Sequence, residues 1–378
     1  MEHTALITNE AVVFGLLMAV LGGIFWAASE PRFKKFFSIV PALLLCYFVP
    51  SLLTNTGLVP KDTNIYFIAS RYLLPASLVL LTISIDLKAV LGLGPKALIM
   101  FFTATASIII GGPLALMVVS WISPETVGGA GPEAVWRGLS TIAGSWIGGG
   151  ANQAAMFEVY KPSGALYSAM ITVDVVVAEV WMAIILLGAA KSDRVDAWLK
   201  ADNRAVKELQ GQMEDFIART SKIPTLADAM KILGIAFGAV ALSHAAGDFL
   251  APWFTEHAPY TANFSLTSDF FWIVIVATTV GLLLSFTPAR KLEGVGASRW
   301  GSVFIYILVG SIGMKMDLME ALSQPGLIGV GAVWMVIHVA ILIAVARLIK
   351  APFFFVAVGS KANIGGAASA PVAAAAFH

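Results

Sequence analysis

The sequence predicts an all-α polytopic membrane protein. Hydrophobic residues make up 58% of the 378 positions and charged residues only 12%, whereas a soluble protein is nearer half apolar and a quarter charged. The apolar residues also gather in runs of about 20, the length at which a helix spans a bilayer. A net charge of +1 and a single cysteine, Cys46, exclude a nucleic-acid-binding protein and a disulfide-rich scaffold.

Nine apolar runs follow one another along the chain, and each is predicted to be a membrane span. They cover residues 10–28, 36–54, 65–85, 97–121, 164–190, 229–250, 269–287, 300–315 and 326–347. Two further runs, 135–160 and 351–378, are apolar but rich in glycine, alanine and asparagine. Segment 191–225 holds 13 of the 47 charged residues, which predicts a solvated linker between two halves.

Basic residues orient the spans, because short loops rich in lysine and arginine stay in the cytoplasm. Such loops are segments 29–36, 86–96, 191–225, 288–299 and 347–350. Together they place the N-terminus outside, provided that run 135–160 enters and leaves on the same side. We therefore expect that run to be a re-entrant hairpin broken at Gly148-Gly149-Gly150. Within a membrane, broken backbone of this kind is tolerated only where protein or a water-filled cavity surrounds it. An ordinary spanning helix is the alternative.

Two motifs recur in the same order in both halves, separated each time by a long apolar run. The first half contains Asp86-Leu87 and Ala151-Asn152, and the second contains Asp317-Leu318 and Ala362-Asn363. Five spans and one hairpin make an odd number of crossings, so the second half would be inverted. Opposed broken segments in inverted repeats are typical of secondary transporters, whose site lies near the middle of the membrane.

This pattern divides the chain into three predicted parts. Residues 1–190 form the first inverted repeat, residues 191–225 form a charged cytoplasmic linker, and residues 226–378 form the second repeat. By symmetry with run 164–190, one more span should follow residue 378; the alternative is that the symmetry of the two repeats is incomplete.

The sequence around the two breaks also resembles a known family. Gly148-Gly149-Gly150-Ala151-Asn152 and Ser360-Lys361-Ala362-Asn363-Ile364-Gly365-Gly366 resemble the YjcL-like family of bacterial membrane proteins of unassigned function, over nearly the whole chain. That family is grouped with the cation:proton antiporter and anion transporter superfamily. The resemblance implies an elevator-type transporter fold in the bacterial inner (cytoplasmic) membrane, a homodimer with a mobile core, and coupling to Na⁺ or H⁺. Lys361 departs from the uncharged residues expected at the tip of the second broken segment, and it is a candidate counter-charge.

Asp174 and Glu179 are the candidate cation-binding carboxylates, since ionisable side chains inside spans usually face a cavity or a bundle interior. Being five positions apart on a helix, they point about 140° away from each other and do not obviously share one site. Asp174 with the Thr172 hydroxyl supplies the oxygen ligands that suit Na⁺. A structural partner for a buried donor is the alternative role for the carboxylate.

The breaks themselves supply the candidate solute-binding groups, since amides offer both donors and acceptors. These candidates are Asn152, Gln153, Asn363, Ser360, Gly150 and Gly365, and Asn152 and Asn363 are also candidate cation ligands. Ser145 and Ser369 are further candidate hydroxyl ligands. The alternative role for the asparagines is to cap the broken helices.

Four other polar residues lie in apolar runs. Arg71 either binds an anion or extends to the membrane surface. His244 and Asp248 share a helix face and form either a proton relay or a structural pair. His338 is expected to be a packing residue.

The expected function is cation-coupled secondary transport of a small polar or anionic organic solute, with Na⁺ favoured over H⁺. A proton-coupled antiporter or exporter is the alternative, followed by a channel or an intramembrane enzyme. The sequence lacks a phosphate-binding Gly-x-x-x-x-Gly-Lys-Ser/Thr loop and a convincing nucleophile–base pair, so neither ATP-driven transport nor an enzyme is expected. The expected partners are the lipid bilayer, the solute and a second copy of the chain. No cofactor is expected beyond the coupling ion.

Overall fold

The computed structural model describes most of the chain. The described residues are 5–37, 40, 42–61, 63–85, 92, 94–201, 223–315, 325–365, 370, 373–374 and 376–377. Within these residues all regular structure is helical, as the sequence predicts. The Asp-Leu motifs 86–87 and 317–318, Ser369 and most of the charged linker lie outside the described residues.

The helices of the first half follow the predicted runs closely. They are α1 (Glu10–Ser29), α2 (Lys34–Phe37), α3 (Ala42–Asn55), α4 (Asn64–Ile68), α5 (Leu74–Ile83), α6 (Pro95–Ile122), α7 (Val135–Gly148), α8 (Gly150–Tyr160), α9 (Gly164–Ala189) and α10 (Ser192–Leu199). The second half adds α11 (Leu226–His257), α12 (Asp269–Ser285), α13 (Ala297–Gly313), α14 (Gly326–Ile349) and α15 (Phe353–Asn363).

Among the described residues, six helical segments are long and apolar enough to cross a membrane. They are α1, the continuous segment Asn64–Ile83, α6, α9, α11 and α14. Large apolar side chains on their outer faces remain exposed, for example Phe102 of α6, Phe249 of α11 and Val336 of α14. Exposed apolar faces of this kind are what a lipid environment requires.

The other three predicted spans correspond to shorter helices. Runs 36–54, 269–287 and 300–315 contain α3, α12 and α13, which have 14, 17 and 17 residues. A 3₁₀ helix at Pro288–Val295 follows α12 at an angle of 95°. A helix of 17 residues is about 26 Å long, slightly short of the roughly 30 Å hydrocarbon core.

The chain divides into two compact units, and each unit draws helices from both halves of the sequence. Unit 1 comprises residues 1–85 and 221–319, and unit 2 comprises residues 86–220 and 320–378. Unit 1 therefore contains α1–α5 and α11–α13, whereas unit 2 contains α6–α10 and α14–α15. The division falls beside Asp86 in the first half and close to Asp317 in the second.

Within unit 1, small residues let helices from the two halves approach closely. A Cβ built on Gly281 of α12 would lie 2.8 Å from the carbonyl oxygen of Val79 in α5. Gly313 of α13 lies similarly against the Tyr47 backbone of α3. A larger residue at either glycine would push two backbones apart.

A π-helical turn at Ala69–Leu73 links α4 to α5. Pro75 has no N–H to bond the carbonyl of Arg71 four residues earlier, and His244 of α11 takes over, with its Nε2 2.8 Å from that oxygen. Because a carbonyl only accepts, Nε2 carries the proton. His244 thus completes a helix that proline interrupts, which gives it a structural contact besides the predicted relay with Asp248.

Within unit 2, α6 and α14 pack through a tryptophan on paired glycines. The Trp334 indole lies so close to Gly111 and Gly112 of α6 that a Cβ at either would be 2.7 or 2.8 Å from it. Its Nε1–H donates to the carbonyl of Ile108 at 3.0 Å. The Trp334 ring also lies 4.9 Å from that of Trp146 in α7, which joins α14 to the segment containing the first break.

Candidate functional site

The segment 135–160 folds into a hairpin of two antiparallel helices. The arms α7 and α8 meet at Gly149, whose φ of +84° is readily adopted only by glycine. At the open end, Arg137 of α7 donates to the carbonyl of Tyr160, the last residue of α8. Ser163 N–H bonds the carbonyl of Pro132 at 2.9 Å. The chain therefore returns to where it started, so the segment is not a single straight helix.

The hairpin closes because glycine lines the contact between its arms. A Cβ built on Gly144 would lie 2.7 Å from both the Asn152 carbonyl oxygen and the Met156 Cγ. Asn152 folds its amide over Gly148, and its backbone N–H bonds the Gly149 carbonyl at 3.0 Å. Asn152 thus covers the break rather than pointing away from it.

The second break lies against the first. Helix α15 ends at Asn363, and Gly365 follows with a φ of +87°. The Cβ position of Gly149 is 4.0 Å from the backbone carbon of Gly365. The C-terminal ends of α7 and α15 and the N-terminal end of α8, which begins at Gly150, therefore converge, and helix ends present partial charges of both signs there.

Asp174 of α9 is buried beside this junction and accepts hydrogen bonds from several donors. Trp146 Nε1–H bonds Oδ1 at 2.6 Å, and Gln153 Nε2 bonds Oδ2 at 3.1 Å. The Ser145 hydroxyl is a third partner. All three donors come from the hairpin, so α9 and both hairpin arms are joined through one carboxylate.

A buried lysine completes a charged cluster around Asp174. The Lys361 side chain is only 1% exposed, and it interacts electrostatically with Glu179 and Asp174 of α9. Glu179 is half-buried. The two carboxylates point to different sides of α9, and each acts electrostatically on the Lys361 ammonium group, which a comparison within α9 alone does not reveal.

Asn363 ties the end of α15 to α6. Its amide nitrogen donates to the carbonyls of Phe101 and Gly359 at 3.2 and 3.0 Å, and its oxygen accepts from the Thr105 hydroxyl at 2.7 Å. Both amide N–H groups are therefore used in holding the helix end. The oxygen keeps one further lone pair for a ligand.

Ser360 lies in a chain of hydrogen bonds that joins four helices. Trp181 Nε1–H donates to Ser360 Oγ at 2.9 Å, and Ser360 Oγ lies 2.8 Å from His338 Nε2. His338 Nδ1 is 2.7 Å from Ser107 Oγ, whose hydroxyl donates to the carbonyl of Ala104 at 2.8 Å. This chain, called the His338 network below, connects α6, α9, α14 and α15.

The structure therefore brings together most of the candidate residues. Asn152, Gln153, Gly150, Gly365, Asp174 and Asn363 lie on the two breaks or in direct contact with them. Thr172 bonds the Ser168 carbonyl within its own helix at 3.2 Å.

Sequence reasoning missed one contributor to the cluster, Trp146, which resembled one more tryptophan in an apolar segment. The available signal was that it lies in the middle of an apolar run, where an indole N–H group needs a buried partner. His338 is fully buried, and both of its ring nitrogens are hydrogen-bonded, which fits the expected packing role.

Several helices that can cross a membrane, together with a buried charged cluster at two helix breaks, define a multi-pass membrane protein with an internal polar site. The chain belongs to the family described as "Protein of unknown function (DUF819)", which matches residues 15–378. A relative, the uncharacterized membrane protein YjcL of Bacillus subtilis (strain 168), is 24% identical over 383 residues, covering 97% of this chain and 89% of the relative. The resemblance to a YjcL-like family is thus confirmed.

Proposed function

We propose that the protein is a cation-coupled secondary transporter of a small polar or anionic organic solute. The observation that carries the proposal is the contact between the breaks at Gly149 and Gly365, beside buried charges from α9 and α15. Paired broken helices that meet at a polar site are the typical arrangement for such transporters. Ionisable groups are retained inside membrane helices mainly for function.

The division of the chain supports an inverted repeat and an elevator movement. Each half contributes a first group of helices to unit 1 and a second group to unit 2. Each half also places a positive-φ glycine at its break, Gly149 and Gly365. In the proposal unit 2 is the mobile core, and unit 1 is the scaffold that forms a homodimer in the bacterial inner membrane, with the N-terminus outside.

The charge of the cluster supports coupling to a single monovalent cation. Asp174, Glu179 and Lys361 together leave one net negative charge, which is costly to move through a low-dielectric membrane. Na⁺ bound at Asp174 neutralises it. The Asp174 carboxylate suits Na⁺ because two oxygens offer about four acceptor positions and the neighbouring donors leave part of that capacity.

The solute is proposed to bind at the same junction. Gln153, Asn152, Asn363 and Ser360 supply amide and hydroxyl groups, and Gly150 and Gly365 expose backbone at the breaks. Solute and cation would then influence each other's affinity reciprocally, as linked equilibria require.

A proton-coupled antiporter or exporter is the second candidate, and Lys361 is the observation that favours it. An ammonium group next to two carboxylates already supplies a cation to the site. A lysine can also release and take up a proton, so an entering cation would compete with it.

The test is ion-dependent stability of the purified protein, combined with uptake into proteoliposomes. We expect the melting temperature to rise as Na⁺ replaces choline at constant ionic strength, because a ligand at 100 times its Kd stabilises by about 2.7 kcal/mol. Asp174→Asn should remove the response. Glu256→Gln, at an exposed position on α11, is the matched control and should retain it.

The outcomes separate the candidates. A response to pH without a response to Na⁺ identifies proton coupling. If neither ion changes the melting temperature, and neither gradient drives uptake of any solute in a broad panel, coupled transport is refuted.

A further inference from the structure

A short helix, α10, packs against the ends of longer helices in unit 2. Its Leu199 side chain is completely buried in a cluster that includes Met100 of α6 and Ala346 of α14. The Asp196 carboxylate accepts a hydrogen bond from the backbone N–H of Phe353, the first residue of α15, at 2.7 Å. The side of α10 that faces away from these helices is therefore held in a fixed position.

Basic side chains gather around α10. Lys96 of α6 donates from Nζ to the carbonyl of Lys350 at 3.0 Å, which places the start of α6 beside the end of α14. The Arg347 guanidinium of α14 lies over the Trp198 ring of α10, 5.0 Å from its centroid. The exposed basic residues of α10 and its flanking positions complete the group: Lys191, Arg194 and Lys200.

The positive charge of this group is largely uncompensated. Six basic residues against two acidic ones, Asp193 and Asp196, leave an excess of four positive charges, and Asp196 already accepts from Phe353. Among the residues that the structure describes, no carboxylate lies within 4.0 Å of any of the six basic groups. A surface with such an excess attracts anions.

Exposed apolar side chains lie among these charges. Trp198 is 51% exposed although Arg347 covers part of its ring, and Leu348, the next residue of α14, is 82% exposed. Two of the helices that are long enough to cross a membrane end here, α9 at Ala189 and α14 at Ile349. The surface thus lies where helices leave the hydrocarbon core, the level at which tryptophan and basic side chains are enriched.

We propose that this surface of unit 2 binds the phosphate groups of anionic phospholipids. The α10 surface, as it is called below, consists of Trp198 and the six surrounding basic residues. A phospholipid satisfies both parts of it, because the phosphate meets the basic side chains while the glycerol and acyl groups cover Trp198 and Leu348. A soluble anion would leave these two apolar side chains in water.

The α10 surface is distinct from the junction of the two breaks. Phe353, which contacts α10, and Asn363, which lies at the second break, are at opposite ends of α15, about 15 Å apart along its axis. Lipid binding at the α10 surface therefore goes beyond the proposed transport function and does not require the Na⁺ site.

The test compares three additives by their effect on the thermal stability of the purified full chain in non-ionic detergent. They are phosphatidylglycerol, phosphatidylcholine and glycerol phosphate, which supply an anionic lipid, a zwitterionic lipid and a headgroup without acyl chains. The buffer is free of Na⁺, and choline chloride sets its ionic strength. We expect phosphatidylglycerol alone to raise the melting temperature, and the rise to shrink at high choline chloride because salt screens exposed charges.

Variants then locate the bound lipid. Arg347→Gln/Lys350→Gln removes two positive charges from the α10 surface and should weaken phosphatidylglycerol binding about 25-fold, since each basic residue near an anionic lipid surface contributes about fivefold. The control, Lys231→Gln/Lys291→Gln, removes two exposed charges from unit 1 instead and should bind as the wild type does. Native mass spectrometry counts the lipids that each protein retains.

The outcomes decide between lipid, soluble anion and no specific site. Equal stabilisation by phosphatidylglycerol and phosphatidylcholine overturns the inference, and so does a glycerol phosphate effect as large as that of the anionic lipid. Equal loss of lipid binding in both double variants also overturns it. If Arg347→Gln/Lys350→Gln does not fold, the three additives on the wild type still give the answer. None of these results depends on Na⁺ or on a solute, so coupled transport stands or falls separately.

Discussion

Hydrogen-bond direction determines the state of individual residues in the His338 network. An indole N–H only donates, so Ser360 accepts from Trp181, and its own hydroxyl proton is available to His338 Nε2. The Ser107 hydroxyl donates to the Ala104 carbonyl, so Ser107 accepts from His338 Nδ1. We assign His338 the tautomer that uses both contacts, with its proton on Nδ1 and with Nε2 as the acceptor.

This assignment predicts unequal costs for two serine substitutions. Ser360→Ala leaves both Trp181 N–H and His338 Nε2 without a partner, and should destabilise the protein by about 2–6 kcal/mol, since each buried unsatisfied group costs about 1–3 kcal/mol. Ser107→Ala should cost only about 1 kcal/mol, because the ring can move its proton to Nε2 and donate to Ser360. Chemical denaturation in detergent gives the stabilities, and ¹⁵N NMR of labelled histidine shows the change of tautomer.

Ser311→Ala is the matched control, since this buried serine donates only to the Leu308 carbonyl of its own helix. It should have little effect. Equal destabilisation by Ser107→Ala and Ser360→Ala, with an unchanged tautomer, would contradict the assigned direction.

At the residue scale, the sequence indicates which polar side chains lie in apolar segments, but not which residues they contact. Asp174 and Gln153 stood out because polar groups are rare in apolar runs. Lys361 lies 187 residues after Asp174, and only the packing of α15 on α9 brings them together. The sequence contains ten tryptophans, and nothing in it marks Trp146 as the one that donates to the Asp174 carboxylate.

At the scale of elements, the hairpin shows what a glycine pattern can predict. The predicted break at Gly148-Gly149-Gly150 falls where α7 (Val135–Gly148) ends and α8 (Gly150–Tyr160) begins, because consecutive glycines destabilise a helix. The lengths of α3, α12 and α13 were less predictable. Hydrophobicity marks the apolar run, whereas the ends of these helices depend on local caps and turns such as the bend after Ser285.

The close contact of α7 with α8 predicts that Gly144 is essential for the hairpin. Gly144→Leu would place its side chain on the Asn152 backbone and the Met156 side chain, and overpacking of this kind costs about 1–3 kcal/mol or more. Because the arms also carry Trp146 and Gln153, we expect the Na⁺ response of stability to be lost together with part of the stability itself. Melting curves with and without Na⁺ measure both effects.

Gly150→Ala is the control within the same hairpin, since nothing lies within 4 Å of its Cβ position. It should melt near the wild-type temperature and keep the ion response. If Gly144→Leu does the same, the two arms are not packed as described.

At the scale of the whole molecule, the main surprise is that the compact units do not coincide with the two halves. The predicted repeats are contiguous along the chain, whereas unit 1 and unit 2 each combine residues from before and after the charged linker. Periodicity and charge report local structure and orientation. They carry little information about which distant helices pack together, and glycine contacts such as Gly281 with Val79 only become meaningful once the fold is known.

This organisation predicts how the protein behaves when the chain is cut in its linker. Fragments 1–201 and 223–378 each contain only part of both units, so separately they leave the α5–α12 and α6–α14 contacts unformed, and each should aggregate when extracted in detergent. Co-expressed, they should associate, co-purify through a tag on one fragment and elute as a single symmetric peak with the Na⁺ response of the intact chain. If instead fragment 1–201 alone elutes as a stable, monodisperse protein, the first half is an independent folding unit. That result would contradict the division into units 1 and 2, each of which combines helices from both halves of the chain. It would also remove the support that this division gives to the proposed core and scaffold.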